Sequence, residues 1–342
     1  MNLFRLRSLL GLSLALVFSL LVVAAASAAT LNPEKPTVRA AYVSNAGVYA
    51  ALWVAAERGY FKEYGLTVEP LLTRSVTGIQ ALISGSVQFV HSACPQFMTA
   101  RKGGSDVIIL SAAAPYNLYT VVSRAEITEP KQLVGKKVAI NQLGDTTHLS
   151  VRFALQQLGV NPDVVTYVQI GGTPERLAAL QSGSVDAALQ AAQSLEIVKT
   201  LGMNVLINLL EQKLPYCGAG IGVTKAFMTA NPQTTEAFLR GIVKGNAFAR
   251  EGNADQVKAI MAKYMRTTVT NKGLVESYNF FPKNVLSKYP GIPTQGLAFI
   301  INEFAFRDHS WAGLKPELFY DSSVIDKLKN EGFLDEVYRQ IR

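Results

Sequence analysis

From Val38 onward, short apolar runs alternate with segments whose apolar residues recur at helical spacing. Val38–Val43 reads as a strand, and Tyr49–Arg58, apolar at 49, 52, 53 and 56, as a helix stopped by Gly59. Leu66–Leu72 is the next strand and Gly78–Ile83 the next helix, stopped by Gly85; Val87–His91 and Val107–Ala112 are further buried strands. The rhythm then restarts with strand Lys137–Asn141, helix Thr147–Leu158 ended by Gly159, strand Val164–Ile170, helix Pro174–Gln181 and strand Val185–Leu189. Apolar strands separated by helices imply a largely parallel sheet covered by those helices, so the chain is expected to be α/β. The two stretches also share a near-copy: Ala81-Leu82-Ile83-Ser84-Gly85-Ser86-Val87 and Ala179-Leu180-Gln181-Ser182-Gly183-Ser184-Val185 differ only at Ile83 and Gln181. Each is a helix closed by a left-handed glycine that turns straight into a strand. The reading is one unit used twice, giving two similar lobes.

After Asn231 the pattern becomes helical. Asn231-Pro232 opens a helix reaching about Arg250, and others follow near 254–265, 294–306 and Ser322–Leu328. No strand series accompanies them, so they are expected to cover a sheet supplied earlier. The expected division is lobe 1 over 29–122, lobe 2 over 123–223, and a return to lobe 1 over 224–342. The chain must then cross twice, and the crossings are expected near Ser123 and Val223, in the extended stretches Leu118–Ser123 and Gly220–Thr224.

The N-terminus belongs to neither lobe. Arg5 and Arg7 precede an uncharged stretch from Ser8 through Leu31, whose apolar run Leu9–Val23 leads into Ala26-Ser27-Ala28. Residues 1–28 therefore read as a secretory signal peptide cut after Ala28, with an uncleaved anchor as the alternative. Export to the periplasm as a soluble protein follows from that reading. With 17% charged residues among 342, the chain is not disordered, and two cysteines exclude a disulfide scaffold or a cysteine-rich zinc module. Cys94 and Cys217, distant and apolar-flanked, read as buried thiols with pairing left open. The formal charge of +8 drops by two without Arg5 and Arg7, and the longest basic run is Lys136-Lys137. Such scattered charge argues against a nucleic-acid partner and leaves a mild bias toward anionic ligands.

Motifs of catalysis are missing. The sequence has no H-E-x-x-H, C-x-x-C or G-x-S-x-G, and Gly218-Ala219-Gly220-Ile221-Gly222 breaks the dinucleotide fingerprint at Val223. His91, His148 and His309 fit no local metal site. No catalytic residue, metal or cofactor is assigned. The better signal is at strand-to-helix turns: Ser44-Asn45, Thr77-Gly78, Ser92-Ala93, Gly144-Asp145-Thr146-Thr147 and Gly171-Gly172-Thr173. Helix N-termini there would turn free N–H groups toward an anion. Ordinary N-capping explains any one of these turns, whereas several from two facing lobes point to a shared cleft. Arg74 could clamp a carboxylate or sulfonate or form a surface ion pair, and His148 could donate to an anion or pack. Tyr49, Trp53, Tyr116 and Tyr119 could line an aromatic wall or belong to the core.

The run Val48-Tyr49-Ala50-Ala51-Leu52-Trp53-Val54-Ala55-Ala56-Glu57-Arg58-Gly59-Tyr60-Phe61-Lys62-Glu63-Tyr64-Gly65-Leu66 resembles the opening of periplasmic solute-binding proteins of ABC importers. The branch is the one taking sulfonates, taurine, nitrate and thiamine-pyrimidine precursors. Matches continue through 81–87, 133–140, 144–148, 179–186 and 223–232. The resemblance implies a type II periplasmic-binding-protein architecture: two Rossmann-like lobes joined by two hinge strands, closing on a small-molecule solute and docking, as a monomer, on a membrane permease. Carried over by position, the cleft residues would be Ser44, Asn45, Tyr49, Thr77, Gly78, Ser92, Ala93, Thr146, Thr147, His148 and the turn near Gln193. Arg74 and Gly144 join them from the reading of the turns. Ala191-Ala192-Gln193 departs from relatives, which often place an acidic or proline-bearing turn there. The expected function is capture of a small, anionic organic solute for import. The alternatives are a secreted enzyme on the same scaffold and a ligand-sensing module that presents its closed form to a receptor.

Overall fold

The computed structural model describes residues 31–341; the expected signal peptide lies outside the described residues. The strands, in chain order, are β1 (Thr37–Tyr42), β2 (Thr67–Leu72), β3 (Phe89–Ser92), β4 (Val107–Tyr116), β5 (Tyr119–Ser123), β6 (Lys137–Ile140), β7 (Thr166–Gln169), β8 (Ala187–Ala191), β9 (Asn204–Asn208) and β10 (Pro215–Thr224). They form two five-stranded sheets, ordered β2-β1-β3-β10-β4 and β7-β6-β8-β5-β9. In the first, β1 is parallel to β2 and β3 while β10 runs antiparallel to β3 and β4. In the second, β6 is parallel to β7 and β8 while β5 runs antiparallel to β8 and β9. The sheets are thus mixed rather than wholly parallel. They share one order, and in each the antiparallel strand arrives from the other lobe.

That exchange moves the crossings. Leu118–Ser123 and Gly220–Thr224 are not free hinge segments: β5 pairs along its length with β8 and β9, and β10 with β3 and β4. Extended, apolar residues there satisfy their backbone groups inside a sheet. Sheet membership changes instead at Asn117-Leu118, between β4 and β5, and over 209–214, between β9 and β10.

The repeated segment closes the same way twice. Gly85 and Gly183 have φ of 76° and 74°, and the serine before each glycine returns its hydroxyl to Ala81 O or Ala179 O at 3.1 Å. On lobe 1, the helix Pro232–Glu251 lies against the helix Ala50–Glu57, so closely that a Cβ on Gly245 would meet Ala51 O at 2.1 Å. The helices Ala254–Met265, Lys272–Phe280, Ser323–Asn330 and Phe333–Ile341 complete that face. The helices Cys94–Lys102 and Thr294–Arg307 cover the opposite one. Among the described residues no helix is long and apolar enough to cross a membrane.

Two features join distant parts. Cys94 and Cys217, expected to be buried with their pairing open, form a disulfide; β10 enters beside β3 and brings them to a Cα separation of 5.5 Å. Between lobes, Asn117 Nδ2 donates to Ser150 Oγ at 2.9 Å, and the rings of Phe153 and Phe299 meet edge-on at 4.2 Å. Buried Arg152 pairs with Asp163 at 2.7 Å while its guanidinium lies 4.6 Å from the ring of Phe306.

Candidate functional site

A cavity of about 320 Å³ lies between the two sheets. Lobe 1 contributes the turn after β1 (Val43, Ser44, Ala46, Val48 and Tyr49), Ala93 after β3, the start of β10 (Tyr216, Gly218 and Ala219) and Phe281. Lobe 2 contributes Leu118 and Tyr119 at the first crossing, Thr146 after β6, Thr173 after β7, Ala191 at the end of β8 and Gln193 just after it. Most are ends of parallel strands, where open α/β sheets hold ligands, and the volume sits at the lower end of the roughly 300–1,000 Å³ typical of small-molecule sites. No lining side chain is charged. A second cavity of about 470 Å³ shares Thr146 and runs between Val76, Ile79, Gln96 and Thr99 of lobe 1 and Gln142–Asp145 of lobe 2.

Burial governs the chemistry of the wall. It raises the phenols of Tyr49, Tyr119 and Tyr216 above the usual tyrosine range; nearby Ser44, Arg176 and Thr146 respectively oppose it. All three stay protonated at neutral pH and can donate. Gln193 Oε1 is buried on the wall without a hydrogen-bond partner among the described residues, and the buried Tyr216 hydroxyl of lobe 1 meets the Thr146 side chain of lobe 2. Buried polar atoms are nearly always satisfied, so an orphaned amide oxygen on a cavity wall calls for an explanation. Behind Tyr49, wholly buried His91 meets the Tyr49 ring edge-on at 4.9 Å, and burial lowers its pKa to about 4. Among the described residues no three His, Cys, Asp or Glu side chains gather to hold a metal ion.

Of the residues expected at the cleft, the structure brings Ser44, Tyr49, Ala93, Thr146 and Gln193 to the first cavity and Gly144 to the second. Asn45 is exposed on the first turn and lines neither. Arg74, Thr77 and Gly78 also line neither, because their helix begins earlier, at Ser75. Arg74 becomes its exposed N-cap and Thr77 is exposed, while Gly78 packs where a Cβ would meet Thr73 Oγ1 at 2.8 Å. Ser92 is fully buried and donates to Gln96 Oε1 at 2.8 Å. His148 is buried too: its Nδ1 accepts from Gly144 N at 3.2 Å, and its ring stands 4.4 Å from that of Tyr167.

The anion cradle expected at Gly144–Thr147 is closed by its own carboxylate. Asp145 Oδ1 accepts from Thr147 N, Thr147 Oγ1 and His148 N at 2.6–3.1 Å, and Oδ2 accepts from Asn141 Nδ2 at 2.6 Å. Self-capping takes the Thr147 and His148 amides out of reach of a solute. Tyr216, Phe281 and Arg176 were not anticipated. A hint for Tyr216 lay in its place just ahead of the glycine-rich stretch that crosses between lobes; for Arg176 no local signal exists.

The sequence pattern of the family described as NMT1/THI5 like matches residues 47–255. The taurine-binding periplasmic protein of Escherichia coli K12 is 27% identical over 194 residues, 55% of this chain and 59% of that protein, so the match spans little more than half of that relative. The 4-amino-5-hydroxymethyl-2-methylpyrimidine phosphate synthase of Aspergillus parasiticus is 24% identical over 256 residues, 69% of this chain and 74% of the enzyme. The solved periplasmic aliphatic sulphonate-binding protein of Escherichia coli shares the fold, with a TM-score of 0.64 at 16% identity over 80% of this chain and 88% of its own.

Proposed function

The chain belongs to the NMT1/THI5-like family, and we propose that it is the extracytoplasmic solute-binding component of an ABC importer, capturing a small anionic organic solute between its lobes and delivering it to a permease. The observation that carries this reading is one cavity of small-molecule size walled by both lobes, with Gln193 Oε1 of lobe 2 buried and orphaned on it. A solute with a donor for that oxygen that also reaches the lobe 1 wall bridges the lobes. Only contacts made to both lobes favour the closed form, so a bridging solute drives closure about the two short crossings.

A secreted enzyme on the same scaffold is the second reading, favoured by the relationship to the pyrimidine phosphate synthase. Against it stands a wall without a carboxylate, lysine, histidine or thiol. The test is thermal unfolding with taurine, ethanesulfonate, propionate and nitrate, followed by recovery of each compound. A ligand at a hundredfold excess over its dissociation constant stabilises the folded state by about 2.7 kcal/mol. Unchanged melting with every compound would count against capture, and chemical conversion of a bound one would count for the enzyme.

A further inference from the structure

We infer that Arg176 determines the specificity of the cleft for charge, a positioning residue that acts through Thr173 to hold the anionic group of the solute at that end of the cavity. This deepens the reading above and rests on the interlobe cavity being the solute site. Arg176 is 2% exposed, on the helix Thr173–Gln181. Its Nε donates to Leu189 O at 2.6 Å, Nη1 donates to Gly171 O, and Nη2 donates to Thr173 Oγ1 at 3.2 Å. All three acceptors are neutral, and among the described residues no carboxylate lies within ion-pair distance of the guanidinium.

A guanidinium cannot shed its proton to escape an apolar setting, so an interior one without a paired anion remains a fixed positive charge. The groups that face it are Tyr119, Asp145 and Glu175. Tyr119 stays neutral because burial raises its phenol. Both Asp145 oxygens are engaged in capping the helix Thr146–Gln157 and holding Asn141, and Glu175 is exposed, where water screens it. Thr173 carries the effect to the cavity. It lines the wall, its oxygen accepts from Arg176, and its hydroxyl proton is thereby polarised for donation to a solute. The helix N-terminus at Thr173 has no side-chain cap, in contrast to the one Asp145 closes at Thr146. The anionic end of the solute therefore belongs at Thr173 and not at the Thr146 turn.

The experiment compares matched probes on the full chain: straight-chain sulfonates and carboxylates of two to six carbons, each beside its uncharged amide, by calorimetric titration. Wild type is expected to bind an acid at least tenfold more tightly than its amide. Arg176→Gln should reduce that preference to less than twofold with amide affinity unmoved, and Arg176→Lys should restore most of it, which a purely structural role would not produce. If Arg176→Gln fails to fold, Thr173→Val should likewise reduce the preference for acid over amide to less than twofold. Retention of the acid preference in whichever of these variants folds overturns the assignment. Binding of acids and amides with equal affinity by wild type overturns the role of Arg176 alone. Binding of no probe at all counts against the cleft reading and takes this proposal with it.

Discussion

Reduction of the Cys94–Cys217 bond is expected to lower the melting temperature by about 7 °C while both sheets persist. The bond joins residues 123 apart in sequence, and the enclosed span holds β4, the entire second sheet and both crossings. In the chain-entropy treatment, closing a loop of that length stabilises the fold by about 5 kcal/mol through the unfolded state. At ~2.1 cal/mol/K per residue, unfolding a chain of this size releases on the order of 0.7 kcal/mol/K, and the quotient is the expected shift. The bond also ties Ala93, which precedes Cys94, to Tyr216 and Gly218, which flank Cys217, and all three are cavity wall. Reduction should therefore loosen solute binding as well. The assay is a circular-dichroism melt of oxidised protein against protein reduced in mild denaturant and returned to buffer, with free thiols counted by alkylation. Reduced wild type is the cleaner comparison, since alanine at both positions would also delete two buried sulfurs. A fully reduced sample melting within about 2 °C of the oxidised one would refute the loop-entropy reasoning.

His91 gives a pH dependence of stability. Its pKa of about 4 in the fold lies below the 6.5 of a free imidazole, so the unfolded chain binds the proton first as pH falls. Its contribution is complete above pH 6.5, declines between 6.5 and 4, and totals roughly 3 kcal/mol; urea midpoints at pH 7 and 4.5 should converge more closely for His91→Phe than for wild type. Gly245→Ala places a Cβ 2.1 Å from Ala51 O and 2.8 Å from Ala55 Cβ, two neighbours on a packed helix that cannot yield, and should cost about 1–3 kcal/mol in denaturant titration. A variant as stable as wild type would mean that the helix Ala50–Glu57 can move away. Gln193→Ala should weaken a bound solute by about 0.5–1.5 kcal/mol without lowering stability, because the orphaned amide oxygen bonds to no described residue; equal losses in stability and affinity would show that this group holds the fold instead.

What was legible in the chain was what neighbouring residues decide among themselves. Gly59, Gly85, Gly159 and Gly183, read as helix stops, all take positive φ, since a residue without Cβ is what that turn needs. The twin segments ending at Val87 and Val185 fold alike because the same bonds recur within seven residues. The cleft is a different kind of object. Tyr216 and Ala93 share a wall only because β10 returns from lobe 2 to lie beside β3, and an apolar run does not say which sheet it will join. The same exchange explains the disulfide, whose pairing stays open in the sequence until the strand order sets the two cysteines side by side. The Asp145 turn shows the converse. Its sequence, an aspartate ahead of two threonines, carried the capping signal openly, and local capping engages Thr147 while Thr146 stays on the cavity wall. At Thr173 the N-cap is Gly172, which has no side chain to close the turn, and a guanidinium from the next turn of the helix lies beneath it. The two turns look alike in sequence, yet Asp145 caps one from within the protein, while the other sets the Thr173 hydroxyl on the cavity wall with the Arg176 guanidinium behind it, which is why the solute's anion is assigned to the second.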